Sequence, residues 1–375
     1  MKRTVLVLMV LLMPVFVNSE AYAADQVHNF KGGVTTRPEK GLTTEQIAPR
    51  YPDNWFSTWT YTFVLIMDDG SSATIQFTYW KIYLASRCGI NVSYIDKGED
   101  QVINSQVFDM DDLSFTKGEN RFQLGEHYWK GAYPEYTLHV DLPARDGKPA
   151  MKADIKLRSL AKGWRPGEGP VHYGDPDGPW YDLVVPIPWA DLSGSFYIDG
   201  KKHELAGYGY MDHNTQTVMP TDQLGKIIAL RSFSDEYAVN FLEYIAPASY
   251  GKTRSTWILV MKKGEILYAT DDWERSLGDF KEEKNTGYTY PTTMKVKIDD
   301  PGFKLEGTIK GQKLIEILEP LEELPEWVLK MAKKFFKAPA IMRQNVEVNW
   351  SITMPEKGID DEAECRGVLE NSIIR

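Results

Sequence analysis

A period of two, restarted many times between tight turns, constrains this chain more than any other feature. Trp59, Tyr61, Phe63 and Leu65 alternate with Thr58, Thr60, Thr62 and Val64, the pattern of a strand with one buried face. Asp69-Gly70 then turns the chain and residues 74–83 return, as expected of a hairpin whose turn needs residues that tolerate positive φ. Tyr136, Leu138, Val140 and Leu142 repeat the alternation. After Asp146-Gly147, Met151, Ala153, Ile155 and Leu157 alternate with Lys152, Asp154, Lys156 and Arg158. A hairpin with one wet face belongs to an antiparallel sheet.

The same grammar resumes after Pro220. Residues 226–233 and 237–245 form one pair; residues 256–261, the turn Lys262-Lys263-Gly264 and residues 265–269 form another. Met294, Val296 and Ile298, then Phe303 and Leu305, then residues 313–318, continue it, and Val346, Val348, Trp350 and Ile352 alternate near the end. The second series echoes the first, so two similar β-domains are expected to meet near residue 219, in keeping with a length of 375 residues. The expected organisation is a signal peptide over 1–23, an irregular segment over 24–52, a first domain over 53–219 and a second over 220–375.

Two stretches depart from the strand pattern. Lys2 and Arg3, an apolar run from Val5 to Val17, and Ala21-Tyr22-Ala23 read as an export leader cut after Ala23. That reading places the protein in a bacterial periplasm. Leu324, Trp327, Val328, Met331 and Phe335 share one helical face, with Lys330, Lys333, Lys334 and Lys337 largely opposite. Pro325 suits the first turn and Pro339 ends the helix. This one helix is expected to cap a barrel end; contact with an anionic membrane surface is the less favoured reading.

Composition narrows the chemistry. A net charge of −10 with no basic cluster argues against nucleic acid as a partner. The six histidines, His28, His127, His139, His172, His203 and His213, show no ligand spacing, and no phosphate-cradling loop or nucleophile elbow is present. No metal and no cofactor are expected. Cys88 and Cys365 are the only cysteines. They either pair, tying the C-terminal strand to the first domain, or stay two separate buried thiols. The chain holds 11 Trp and 20 Tyr, a supply of rings that suits strands and the lining of an apolar pocket. Residues 163–188 concentrate Gly, Pro and aromatic residues, and read either as a lid or rim or as a surface loop packing its own rings. Trp59, Tyr61, Trp180 and Trp189 are the candidates for lining a ligand cavity.

The densest chemistry lies in Gly207-Tyr208-Gly209-Tyr210-Met211-Asp212-His213-Asn214. On a strand Tyr210 and Asp212 point to one face, Met211 and His213 to the other. A carboxyl group facing an apolar cavity has its pKa raised and can serve as a general acid, with Tyr210 as hydrogen-bond partner. The alternative is that Asp212, His213 and Asn214 satisfy backbone groups at a domain junction.

This octapeptide resembles the Gly-x-Gly-Tyr-x-Asp-His-Asn signature of the AttH / carotenoid 1,2-hydratase (hydroxyneurosporene synthase, CrtC) family. The Trp59 strand with its Asp-Gly turn, the Pro-Ile-Pro of residues 186–188 and the Gly-Val-Leu-Glu of 367–370 are similar to further stretches of that family. The resemblance implies an all-β fold: two lipocalin-like (calycin) antiparallel β-barrel domains side by side, with an apolar cavity near the signature. It also implies catalytic roles for Asp212, as proton donor, and Tyr210, with Gly207, Gly209, His213 and Asn214 as the rest of the signature. Two departures weigh against hydratase chemistry. Thr215-Gln216 stands where members commonly have Trp-Gly, and Asp182 and Val184 stand at the positions of a His-x-Trp in the hydratases.

The favoured expectation is therefore an exported protein that binds an apolar isoprenoid, lipid or polyketide-like ligand. The alternative is a hydratase or cyclase in which Asp212 protonates an alkene, and a weaker one is an accessory component of an envelope export system.

Overall fold

The computed structural model describes residues 27–34, 40–97, 101–318 and 340–373. The expected leader (1–23) and amphipathic helix (324–337) lie outside the described residues. Within them the chain is almost entirely β. The first half carries β1 (Val27–His28), β2 (Phe56–Met67), β3 (Ser72–Ile82), β4 (Ala85–Ile95), β5 (Gln101–Phe108), β6 (Leu113–Thr116) and β7 (Arg121–Leu124). It continues with β8 (His127–Ala132), β9 (Glu135–Leu142), β10 (Met151–Ser159), β11 (Val171–Tyr173), β12 (Trp180–Ile198) and β13 (Lys201–Gln216). The second half carries β14 (Lys226–Phe233), β15 (Tyr237–Ile245), β16 (Arg254–Lys262), β17 (Glu265–Thr270), β18 (Glu274–Glu282), β19 (Thr289–Asp300), β20 (Phe303–Leu318), β21 (Ala340–Met354) and β22 (Ile359–Ile373). Two single-turn helices join them, α1 (Thr44–Ile47) and α2 (Pro220–Gln223).

Two antiparallel sheets result, with the same plan. The first runs β5-β4-β3-β2-β13-β12-β10-β9-β8-β7-β6, with β1 and β11 added beside β12. The second runs β17-β16-β15-β14-β22-β21-β20-β19-β18. In each the opening strand of the main meander pairs with the closing one, β2 with β13 and β14 with β22. Each sheet curls so that one edge strand reaches residues far along the same sheet. Asn104 on β5 donates to the carbonyls of Pro143 and Pro149 at 3.1 and 2.7 Å, and Tyr268 on β17 stacks on Phe303 of β20 at 4.2 Å.

Alternation sorts the side chains into three cores. Trp59, Tyr61, Phe63, Leu65, Phe122 and Trp129 fill the interior of the first barrel. Ile228, Leu230, Phe241, Val348 and Trp350 fill the second. The opposite faces of β12, β13, β14, β15 and β16 supply a third core, between the barrels, with Trp189, Tyr210, Phe233, Leu242 and Trp257.

Two sequence readings left open are resolved by the structure. Cys88 and Cys365 are free and sit in different interiors, Cys88 in the first barrel and Cys365 in the second, so the disulfide is not formed. Residues 163–188 are not a plain loop: β11 pairs with β1 and β12, and Trp164 bridges to Val185. Pro186 and Pro188 lie inside the 19-residue β12. The strand accommodates them through register shifts between Val184 and Ile187 and between Ile187 and Ala190, as bulges allow.

Candidate functional site

The signature lies on β13, paired with β2 on one side and β12 on the other. Its glycines answer to close approaches. A Cβ on Gly207, where φ is +146°, would stand 2.3 Å from the Ile66 carbonyl oxygen; one on Gly209 would stand 2.3 Å from Leu157 Cδ2.

Met211 and His213 face the first barrel's interior. The His213 ring stacks on Tyr61 at 4.0 Å, and its Nδ1 lies 3.1 Å from the Thr60 carbonyl oxygen. Burial, reinforced by the Arg50 charge, pushes its pKa down to about 3, so the ring is neutral. Tyr210 and Asp212 face the other barrel.

Asp212 is 5% exposed, and Arg231 of β14 donates to it through Nη2 at 3.2 Å. The same guanidinium lies over the Tyr210 ring, 5.0 Å from its centroid, and 3.9 Å from Glu370 of β22. Glu370 accepts from Arg343 Nε at 2.9 Å and from the Ser372 hydroxyl at 2.8 Å. Arg343 also binds Glu316, which accepts from Gln101 of the first sheet at 2.8 Å. Buried charges thus run in a chain between the two barrels. Burial raises the Asp212 pKa above 3.8 against the pull of Arg231. Glu370 moves the other way: burial would raise it, but Arg343 and Arg231 together bring it below 4.5. The wholly buried Tyr210 hydroxyl has Asp212 and Arg231 as polar neighbours but makes no hydrogen bond of good geometry. Close by, the Tyr181 and Tyr244 hydroxyls share a 2.6 Å hydrogen bond across the junction.

The four ring residues expected to line one cavity are not brought together. Trp59 and Tyr61 are packed inside the first barrel, Trp189 belongs to the core between barrels, and Trp180 is half-buried beneath the Arg50 guanidinium. The bulges of β12 put Trp180 and Trp189 in different surroundings. Asp182 points away from Asp212 and is held by Arg50 at 2.7 Å and Arg165 at 2.6 Å. A cavity of about 210 Å³ lies at the rim of the first barrel, beside Leu42, Ile47, Tyr133 and Tyr136. It falls below the roughly 300–1,000 Å³ of typical small-molecule pockets.

Sequence reasoning missed Arg231, Arg343 and Glu316. Their signal was faint: charged residues at buried positions of otherwise apolar strands. No group of three or more potential metal ligands occurs among the described residues, and none of their helices is long and apolar enough to cross a membrane.

Comparison with known proteins adds the following. The model of the Svf1 family matches residues 14–374. The ceramide-binding protein SVF1 of Yarrowia lipolytica is 27% identical over 170 residues, covering 44% of this chain and 42% of that protein. The ceramide-binding protein svf1 of Aspergillus fumigatus is 23% identical over 289 residues, covering 73% and 70%. Both are fungal, as is a third relative from Emericella nidulans, which overturns the expected bacterial periplasm and argues for a eukaryotic origin. Among solved structures, an AttH-type protein from Nitrosomonas europaea aligns with a TM-score of 0.61 at 14% identity, over 89% of this chain and 98% of that one. Kievitone hydratase from Nectria haematococca aligns with 0.53 at 13%, over 93% and 97%. These likenesses establish the double lipocalin-like fold and agree with the AttH part of the resemblance; the family model that matches is that of Svf1 and not that of the carotenoid hydratases specifically.

Proposed function

The chain belongs to the Svf1 family, and we propose that it binds a long-chain lipid of the ceramide class without transforming it. The reading takes two barrel units meeting near residue 219, with the lipid's polar end at their junction. The observation that carries it is the Tyr210 hydroxyl, wholly buried beside Asp212 and Arg231 without a hydrogen bond of good geometry. A buried hydroxyl without a well-formed hydrogen bond is uncommon in a folded protein. A ligand amide or hydroxyl group would complete it. The aromatic core around it, with Trp189, Phe233 and Trp257, offers an apolar setting for hydrocarbon. The names of the fungal relatives supply the lipid class.

Asp212 supports binding more than proton transfer. Its carboxylate is tied to Arg231, and an ion-paired acid is a poor proton donor to an alkene. Catalysis is the second reading, favoured by the raised Asp212 pKa. Here Asp212 would protonate an alkene and Tyr210 would position it.

The test is titration of the full chain with a short-chain ceramide by calorimetry, repeated with Tyr210→Phe. Loss of about 1 kcal/mol of binding, the net worth of a typical hydrogen bond, is expected in the variant, with its fold retained. Undiminished binding would remove Tyr210 from the site. Turnover of an alkene substrate that disappears in Asp212→Asn would favour the second reading.

A further inference from the structure

We infer that one end of the second barrel holds a site for an oxyanion, of the phosphate monoester class, centred on Lys226, Arg254 and Arg275 with Asn371 behind them. It lies on the inner face of the second barrel, apart from the Tyr210 junction, and stands whether or not ceramide binds there.

Strand parity fixes which side chains face inward. Ile228 and Leu230 of β14, Val239 and Phe241 of β15, Ile258 and Val260 of β16, and Leu369 of β22 all face the barrel interior. Pairing among these four strands shows no register shift. Period two therefore carries Lys226, Glu243, Arg254 and Asn371 onto the same inner face. The rows can be read across the sheet. Leu369, Leu230, Phe241 and Ile258 form an apolar row; Asn371, Ile228, Glu243 and Thr256 form the next; Ile373, Lys226, Ile245 and Arg254 form the last. The interior changes from hydrocarbon to polar within two rows of the barrel's end.

Charge does not balance there. Glu243 is fully buried and bound by both Arg254 and Arg275, the latter from β18 at 2.5 Å. One carboxylate thus serves two guanidinium groups. Lys226 brings a third cation, and no described carboxylate pairs with it. Burial and the neighbouring Arg275 push its pKa down, against the pull of Glu243, so it lies within the field of both. Among these groups the described residues leave an excess of two positive charges at a half-buried end, a setting that favours an anion.

Asn371 is the independent observation. It is 1% exposed, and neither its amide nitrogen nor its amide oxygen has a hydrogen-bond partner. It stands opposite Ile228, one row inward from Lys226 and on the same face. An unpartnered donor behind three cations fits a ligand carrying several acceptor oxygens, and its amide oxygen fits a P–OH or a neighbouring hydroxyl. The phosphate can arrive free or as a lipid headgroup, the tail then meeting the apolar rows beneath.

The test uses the full chain at constant ionic strength, with inorganic phosphate, a short-chain ceramide 1-phosphate and the neutral ceramide of the same length as probes. Calorimetry is expected to show the phosphorylated lipid bound at least tenfold more tightly than the neutral one. Lys226→Met should abolish that preference while leaving neutral-lipid affinity unchanged, and Asn371→Leu should reduce it. Neither variant removes a partnered group, and circular dichroism with the thermal midpoint verifies their folding. Lys226-dependent binding of inorganic phosphate as well would identify free phosphate as a sufficient ligand. Lys226-dependent binding of only the phosphorylated lipid would identify the headgroup. Equal affinities for both lipids with no phosphate binding, or a phosphate response unchanged in Lys226→Met, overturns the inference. Failure of the neutral ceramide alone would sink the Tyr210 reading and leave this one standing.

Discussion

Asp212 and Glu370 draw on the same guanidinium, and their surroundings push them in opposite directions. Arg231 has one buried carboxylate at 3.2 Å and another at 3.9 Å. Its removal by Arg231→Met leaves Asp212 without a cation, at an expected cost of about 3–5 kcal/mol in urea unfolding; a loss below 1 kcal/mol would show that the pair carries little. Asp212→Asn is milder and has a pH signature. The folded-state pKa of Asp212 is raised above 3.8, so its contribution is full below that value and is lost as pH rises through the folded pKa. Asn has no such loss. The variant should therefore gain on the wild type as pH climbs from about 4 toward neutrality, read from urea midpoints at stepped pH. A difference independent of pH would mean that Asp212 titrates normally. The shared face of Tyr210 and Asp212 was legible from strand alternation alone. Arg231 was not, because the residue that meets Asp212 is fixed by how two sheets pack, and no local pattern encodes that.

At the scale of elements, legibility followed the purity of the pattern. β14 and β15 read correctly to the residue, since apolar residues run along both faces and turn residues bound each end. β12 did not, because Pro186 and Pro188 break the alternation that identifies a strand. Two closing strands show a repeat that pattern reading also passed over. Gly207 on β13 and Gly367 on β22 make the same close approach: a Cβ would lie 2.3 Å from the Ile66 carbonyl oxygen in one and 2.3 Å from that of Arg231 in the other. Gly209 meets only the tip of the Leu157 side chain, which can rotate away. Gly207→Ala, strained in addition by its positive φ, is expected to cost at least about 2 kcal/mol. Gly209→Ala should cost less. Chemical denaturation of the two variants decides it, and a reversed order would mean that β2 yields more readily than Leu157.

For the whole molecule, the common plan of the two sheets matters because each leaves an apolar face that the other helps to cover. Tyr208 stacks on Phe233 at 5.7 Å, Trp164 meets Trp257 at 5.2 Å, and Asn240 donates to the Pro188 carbonyl at 2.8 Å. Paired hairpins made an all-β chain of two domains readable from the sequence. The dense core between them was not, because residues facing it look like any strand's second face. This junction sets the consequence of ligand binding. A ligand bound only to the folded state at 100 times its dissociation constant stabilises that state by about 2.7 kcal/mol. If the lipid's polar end meets Tyr210, that stabilisation acts on β13 of one barrel and β14 of the other together. Hydrogen exchange with saturating short-chain ceramide should then slow in residues 207–214 and 226–233 alike. Protection confined to one barrel's interior strands would move the lipid away from the junction, and would leave the Tyr210 hydroxyl as a structural feature of the interface.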